Sequence, residues 1–528
     1  MKKSRFIRIY DLHSWSGIVL GLFVYMVSFT GCIALFDDEI KTWEDPAKRL
    51  EVVDETVSIM PIFQDWVDQK SQGETVPQVS FFYPQQHAPY YKAFMVTQTK
   101  DGERAQHRVR WDSESGKELT IKEAALTEWL LDFHRDLMWP AKLGGRTAGR
   151  TLVGVAGIIL MLSIITGIIT HTKIIREFFT LRVKRSVHLK WQDLHKILGL
   201  WSLPFYTMIA FTGAFLGVIA IMAPIAAALA FKGDTEALVL AVNGQSLERS
   251  GVQAQMLSFD ELKDLRHPAS NQKPYRVIAL NWGDEVATYK VSFKATSKLK
   301  RTNGITLNGA TGEVVKKENS IALSSGNRVS DTITPLHYGT YGGIWLKILY
   351  LVLGVFLCIV TATGLMVWLE RRLKTNKEEH KQTFYLRLGR FSTGIIMGFP
   401  IASVAIFYLD KLYQGLESSR MFYTGACYIF VVLITILFAM LRKDIYQTTR
   451  TLFFTTSAGL LGLPIINAMT TNSQFWTAVT THQSWAWVDV SFLLFGMTLL
   501  LVSVFLPKKR SDEPRSKKEQ RILVSKIA

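Results

Sequence analysis

Residues 11–31 read DLHSWSGIVLGLFVYMVSFTG, and residues 193–213 read DLHKILGLWSLPFYTMIAFTG. In both stretches a glycine follows the histidine after four residues, and the Thr-Gly glycine follows it after eighteen. On an α-helix, steps of four and eighteen residues return close to the starting direction. His13 and His195 therefore each share a helix face with glycines. This pattern favours a groove for a flat group bound through imidazole, although small residues also let membrane helices approach closely.

The composition around these stretches is that of a membrane protein. The chain has 528 residues, is 48% apolar and carries a net charge of +17. Of its 61 Lys and Arg residues, 28 lie in five short segments that hold only eight of the 44 acidic residues. Confinement of basic residues to alternate loops is the positive-inside pattern of membrane proteins and does not indicate a DNA-binding face. The five segments are residues 2–10, 172–192, 370–390, 441–450 and 507–528.

The apolar runs predict a polytopic α-helical membrane protein with about eight spans, since about 20 apolar residues cross a bilayer. A basic amino terminus places both chain ends in the cytoplasm and two long inserts outside. We expect Pro400 and Pro464 to kink or break their helices. The spans are predicted at 15–36 (within residues 1–36), 150–171, 196–220, 343–369, 391–409, 421–441, 451–469 and 485–506, the last four making up residues 391–506. The inserts are residues 37–149 and 221–342, and the cytoplasmic segments are residues 172–195, 370–390 and 507–528.

Each insert is predicted to form a small mixed α+β domain. Residues 90–96 and 108–111 alternate like strands in the first insert, as do residues 288–293 and 304–307 in the second. A turn signal follows in both inserts. The repeat unit is therefore helix, outside domain, helix, over residues 11–171 and 193–369. Two such units would form a four-helix bundle with a pseudo-twofold axis, and bundle cores are places where cofactors bind.

The three cysteines, Cys32, Cys358 and Cys427, all lie inside apolar spans. The sequence therefore supports neither a disulfide framework nor a cysteine metal site. The basic start of the chain resembles a signal sequence, but its apolar run is long enough to span a membrane, so we expect a retained first helix.

Five histidines fall at membrane boundaries of the repeated units. Ionisable side chains at membrane depth are candidates for function, although a single one is as readily explained by contact with lipid headgroups. Zinc needs a tight ligand cluster, which the sequence lacks, whereas two imidazoles facing each other from different helices can hold haem iron. The predicted outer pair is His134 with His337. The inner pair is His13 with His195 by symmetry, with His171 as a competing ligand.

Three motifs resemble the PepSY-associated transmembrane family over about residues 5–372. They are the Asp-Leu-His…Thr-Gly pattern, residues 166–173 (TGIITHTK) with residues 178–182 (FFTLR), and residues 334–339 (TPLHYG). The resemblance implies that both inserts are periplasmic PepSY-like domains. It also implies a di-haem b protein similar to bacterial inner-membrane ferric-siderophore reductases. The implied ligands are His13, His134, His171, His195 and His337. The chain departs from the family pattern at Tyr206, where relatives often carry histidine.

On this interpretation two haem b groups would pass electrons outward to ferric iron in a siderophore. Aromatic and basic residues near the outer site are candidates for holding the chelate, namely Trp139, Lys142, Arg146, Tyr341 and Trp345. Neither a flavin nor a nicotinamide motif is present, so quinol or a separate cytoplasmic reductase would supply electrons. The alternatives are a ferric-chelate permease, since internal repeats suit transporters, and a non-catalytic sensor or assembly factor.

Overall fold

A computed structural model of the chain describes most of its residues. The described residues are 3–49, 56–85, 88–99, 101–120, 122, 124–171, 179, 187–230, 232–233, 248–268, 271–294, 303–318, 325–376, 378–481 and 483–506.

The described residues are mostly helical. Seven of their helices are long and apolar enough to cross a membrane, and a bent pair supplies an eighth span if it counts as one. The chain is therefore a multi-pass membrane protein. The helices are α1 (Lys3–Ala34), α2 (Asp37–Glu44), α3 (Met60–Ser71), α4 (Ala125–Asp136), α5 (Gly145–Thr170), α6 (Val187–Trp201), α7 (Leu203–Ala230), α8 (Phe259–Leu262), α9 (Ser325–Tyr338), α10 (Gly343–Thr375), α11 (Glu379–Leu412), α12 (Glu417–Leu441), α13 (Ile445–Thr471), α14 (Phe475–Thr480) and α15 (Ala486–Phe505).

The third span differs from the prediction of one helix over residues 196–220. Helices α6 and α7 meet at a bend of 70° at Ser202, and α7 continues to Ala230. Pro204 explains the position of the break, because proline lacks an N–H and is tolerated in the first turn of a new helix. Neither Pro400 nor Pro464 breaks its helix, since α11 and α13 continue through them, and the expected kink at each proline stays a prediction. Helices in membranes tolerate interior proline where neighbouring groups satisfy the freed carbonyl.

The chain divides into two compact units. A helical unit comprises Met1–Leu35, Ala125–Ala214 and Leu349–Ala528, and a sheet unit comprises Phe36–Ala124 and Phe215–Ile348. The division does not coincide with the predicted boundary at residue 149, because α4 and the start of α5 belong to the helical unit.

The sheet unit contains one antiparallel sheet built from both inserts, where the sequence predicted two separate domains over residues 37–149 and 221–342. The strand order is β3-β2-β1-β4-β5-β6-β7. The two inserts meet at the β1–β4 pair, in which Val79 lies opposite Ala279. The strands are β1 (Thr75–Phe82), β2 (Tyr90–Gln98), β3 (Arg104–Asp112), β4 (Pro274–Trp282), β5 (Thr288–Phe293), β6 (Asn303–Asn308) and β7 (Val314–Glu318).

One hydrophobic core lies against this sheet and draws residues from both inserts. Phe63 of α3 contacts Phe259 of α8 with ring centroids 5.0 Å apart, and Phe81 of β1 stacks on Phe259 at 4.5 Å. Buried aromatic side chains contribute much of the apolar area of a core. Neither insert therefore encloses this core by itself, which explains why the two fold as one unit.

The hairpin between β4 and β5 is held by the buried carboxylate of Asp284. It accepts hydrogen bonds from Ser250 Oγ at 2.8 Å and from the N–H groups of Gly251 at 2.9 Å and Val286 at 3.1 Å. Burial opposes ionisation of this carboxyl, but the hydrogen bonds outweigh it and lower the pKa of Asp284 to about 2. A lowered folded-state pKa stabilises the fold above the unfolded pKa of about 3.9 and loses that contribution as the pH falls towards 2.

We therefore expect Asp284→Asn to weaken the β4–β5 hairpin at neutral pH and to flatten its stability between pH 5 and pH 2. Hydrogen exchange of this hairpin in the full chain, corrected for intrinsic rates, measures the effect. Glu285→Gln changes the adjacent exposed carboxylate and serves as the control. Equal exchange in the two variants would contradict the assignment.

Candidate functional site

The structure brings His13 and His195, the predicted inner pair, close together in the helical unit. Their ring centroids are 6.3 Å apart and their planes are inclined by 67°. His13 lies on α1 and His195 on α6, so each repeat contributes one imidazole.

The imidazole of His13 is held by α5, the second helix of its own repeat. Its Nδ1 lies 3.0 Å from the carbonyl oxygen of Ser163 and 3.3 Å from Oγ1 of Thr166. The ring rests on Gly167, where an added Cβ would lie 3.2 Å from Cε1 of His13. A carbonyl only accepts hydrogen bonds, so Nδ1 carries the proton and Nε2 is left as the basic nitrogen.

His195 is held in the same way by α10, the second helix of the second repeat. Its Nδ1 lies 2.9 Å from the carbonyl oxygen of Val360 and 3.5 Å from Oγ1 of Thr363. The ring rests on Gly364, whose added Cβ would lie 3.0 Å from Cε1 of His195. The two Thr-Gly pairs at the ends of the repeats therefore each pack against an imidazole ring, and we call each pair the seat of that ring.

The helices of the two repeats also approach each other at matching positions. An added Cβ on Gly157 of α5 would lie 2.8 Å from the backbone nitrogen of Ala214 in α7. The corresponding Gly354 of α10 faces Cys32 of α1, with 2.7 Å between the added Cβ and Sγ. Cys32 and Ala214 each follow a Thr-Gly pair. The duplication seen in the sequence is thus repeated in the packing of the helices.

The separation of His13 and His195 is short enough for the two imidazoles to hold one metal ion between them. Metal–imidazole bonds are about 2.0 Å long, so two imidazoles on opposite sides of one ion would have ring centroids roughly 6 Å apart. The observed 6.3 Å matches this value. Histidines that bind a metal usually donate the N–H of their other ring nitrogen to a carbonyl or carboxylate, which fixes the orientation of the ring.

A third histidine, His134 of α4, has the same kind of seat on α1. Its Nδ1 lies 2.9 Å from the carbonyl oxygen of Val27, and its ring rests on Gly31, where an added Cβ would lie 2.8 Å from Cε1. Burial lowers the pKa of His134 below its ordinary value, against the opposing effect of the hydrogen bond to Val27. A neutral imidazole with Nδ1–H donated is the form that binds a metal through Nε2.

Helix α4, which carries His134, is held against α5 by ion pairs and by a close backbone approach. Arg146 donates to Asp132 at 2.7 Å and lies 3.6 Å from Asp136. Gly149 lies under the end of α4, since an added Cβ would be 1.9 Å from the carbonyl oxygen of Asp136. Arg146, proposed from the sequence to hold a chelate, is thus engaged in fixing α4.

The structure places the remaining predicted site residues as follows. His171 ends α5, one turn beyond Gly167, and its N–H donates to the Gly167 carbonyl. His337 lies in α9 of the sheet unit, so its predicted pairing with His134 stays a prediction. Tyr206, where relatives often carry histidine, is buried in α7. Trp139 donates to the Leu143 carbonyl and Trp345 is 79% exposed, while Lys142 follows α4 in the helical unit and Tyr341 lies in the sheet unit.

Within the described residues, no group of three or more His, Cys, Asp and Glu side chains is arranged to hold a metal ion. Bis-histidine haem ligation needs two protein ligands, because the porphyrin supplies the other four. His13 and His195 are the described residues that could hold such a group between them.

Sequence reasoning missed the carbonyl partners of the histidines and the crossing glycines Gly157 and Gly354. The carbonyls of Ser163, Val360 and Val27 carry no residue-specific signal, because any residue supplies one. A usable signal did exist, since each of them lies four residues before the glycine of a Thr-Gly pair.

We expect Gly364→Leu to displace the His195 imidazole and to weaken cofactor binding at this pair by 10- to 100-fold, the usual loss when support of a metal ligand is removed. Gly459→Leu is the control, because its added Cβ would also meet a close neighbour, Val404 Cγ1 at 2.6 Å, but among the C-terminal helices and away from this pair. Titration of the purified protein with haemin measures both affinities. Equal affinities in the two variants would contradict the role of the glycine seat.

Comparison with known proteins agrees with the repeat structure. The family model of the PepSY-associated TM region matches residues 10–371. An uncharacterized protein of Pseudomonas aeruginosa, PA4219, is 26% identical over 243 residues, which cover 42% of this chain and 60% of that relative. The matched part of this chain thus spans less than two thirds of the relative's length.

Proposed function

This chain belongs to the family of the PepSY-associated TM region, and from that premise we propose that it is a haem b-containing oxidoreductase of the bacterial inner membrane. It would pass electrons outward and reduce ferric iron held by a siderophore on the periplasmic side. Both chain ends would lie in the cytoplasm, as the basic segments predict.

The observation that carries the proposal is the pair formed by His13 and His195. Their 6.3 Å separation suits one iron between two imidazoles. Both rings are fixed by hydrogen bonds from Nδ1–H to carbonyls of α5 and α10. Rings fixed in this way would hold a bound haem with little rearrangement, which suits electron transfer.

A second haem would be held by His134, together with His337 according to the sequence repeat. The hydrogen bond to the Val27 carbonyl holds the His134 imidazole in one orientation. Bound haem supplies reversible one-electron chemistry at two depths of the membrane. His171 remains the competing ligand for the inner position, since it ends the helix that seats His13.

Ferric chelates are a suitable acceptor, because hard oxygen donors bind ferrous iron more weakly than ferric iron and reduction releases the metal. A one-electron reduction of this kind needs neither a general base nor a nucleophile. The chain's own residues would bind and orient the cofactors, and the electron donor would be quinol or a cytoplasmic reductase.

The test is a visible spectrum and a haem count of the purified full chain. We expect a Soret band, two haems per chain, and reoxidation of the dithionite-reduced protein by a ferric siderophore. Absence of a Soret band would overturn the redox function and leave a permease or a non-catalytic sensor. A haem protein that no ferric siderophore reoxidises would overturn the substrate alone.

A further inference from the structure

Helices α11 and α12 lie beyond the family match, which ends at residue 371, yet they pack against α4. We propose that these two helices position His134 through a cluster of aromatic rings, and so form part of the second cofactor site. This inference rests on the proposed function.

The contact between α4 and α12 is made by three buried or half-buried rings. Trp129 and Phe133, one turn apart on α4, stack at 5.1 Å. Tyr428 of α12 lies against both, at 4.5 Å from Trp129 and 5.9 Å from Phe133. Phe133 directly precedes His134 in the sequence, so this contact sets the rotation of the turn that carries the imidazole.

Phe399 of α11 extends the ring cluster to α1, the helix on which His134 is seated. Its ring lies 5.9 Å from Phe133, 6.5 Å from Tyr25 and 6.4 Å from Phe29. The Tyr25 hydroxyl donates to the Ile396 carbonyl of α11 at 2.7 Å. The cluster therefore holds both α4 and α1 against α11. Its contacts on α1 lie beside Val27 and Gly31, the two residues of α1 that contact His134.

Gly425 of α12 permits the closest approach in this contact. A Cβ added there would lie 2.6 Å from Nε1 of Trp129. A larger residue must push the indole, and with it α4, away from α12. Close glycine contacts of this kind are how membrane helices pack tightly.

Helix α4 has only 12 residues, which is too short to be stable without packing partners. Its position is therefore decided by the helices around it. A ligand displaced by about 1 Å is enough to lose a functional site. His134 thus depends on α12 and α11 as well as on α1 and α5.

The test compares Gly425→Leu with Gly459→Leu in the full chain. Gly459 is a matched control, because its added Cβ would also lie 2.6 Å from a neighbour, Val404 Cγ1, but within the C-terminal helices and away from α4. We expect Gly425→Leu to lose the haem that His134→Ala loses and to keep the haem that depends on His195. That retained haem shows that the variant has folded. Gly459→Leu should keep both haems, and equal haem contents in the two glycine variants would overturn the proposal.

A second readout does not need a cofactor. Diethyl pyrocarbonate modifies accessible neutral imidazoles, and peptide mass spectrometry reports the modified fraction of His134. We expect at least a fivefold faster modification in Gly425→Leu than in the wild type or Gly459→Leu. If the wild type binds no haem, the proposed function fails and this rate alone decides the positioning role. Equal rates in the three proteins would overturn it.

Discussion

Replacing His195 with alanine is expected to lower the haem content from two per chain to one and to stop electron flow from the inner side to ferric siderophore. The imidazole lies 6.3 Å from that of His13 and is held by the Val360 carbonyl. Alanine removes one of the two imidazoles that would hold the haem, so we expect at least a 100-fold loss of haem affinity at this pair. Loss of a supporting partner alone costs 10- to 100-fold, and loss of the ligand itself should cost more.

His13→Ala should give the same result, because the two rings are equivalent in the repeat. His171→Ala distinguishes the competing inner ligand, since it should retain both haems if His13 and His195 form the pair. His380→Ala is the control, because its side chain is 76% exposed. Reduced-minus-oxidised spectra of the four variants measure the outcome. Two haems in His195→Ala would contradict the assignment of this pair.

The proximity of His13 and His195 was predictable, because the two histidines occupy matching positions in the sequence repeat. The repeats at His13 and His195 mark the two imidazoles, and the Thr-Gly pairs at Thr166 and Thr363 mark the positions against which they pack. The choice of His13 with His195 over His171 remains a prediction, which the observed proximity of the two rings supports. The carbonyl partners carry no signal in their own side chains, and only their spacing of four residues before a Thr-Gly glycine marks them.

The sheet was predicted only in part. β2, β3, β5 and β6 were expected from their alternation, whereas β1 and β4 were not. These two strands are central, and β1 contains Pro77 within an apolar run that does not alternate regularly. Strands buried in the middle of a sheet lose the two-residue period that marks a half-exposed strand. The pairing of β1 with β4 joins segments almost 200 residues apart, which no local pattern reveals.

The C-terminal helices show a further limit of sequence reasoning. Their apolar length predicted spans, and α11, α12, α13 and α15 confirm four helices of sufficient length. Their contact with α4 depends on Gly425 and Tyr428, residues that are ordinary in any membrane helix. Only the three-dimensional arrangement relates them to His134.

Replacing His134 with alanine should separate the two cofactor positions. We expect one haem to be lost, the His13–His195 haem to stay reducible by the donor, and the rate of ferric-siderophore reduction to fall at least 100-fold. The reason is that His134 packs against α1 at Val27 and Gly31, far along that helix from His13. The remaining haem would then have no partner through which to deliver electrons to the outer side.

His337→Ala provides the matching test of the pair that the sequence repeat predicts. If His134 and His337 bind one iron, the two single variants and the double variant should have the same haem content and the same residual rate, because ligands acting as a unit are not additive. Stopped-flow reoxidation by a ferric siderophore, with His107→Ala as a control in the sheet unit, measures the rates. A double variant that loses a further haem, or a His337→Ala protein that keeps both haems, would contradict the pairing. In that case His134 would need another partner, and the outer half of the electron path would have to be reassigned.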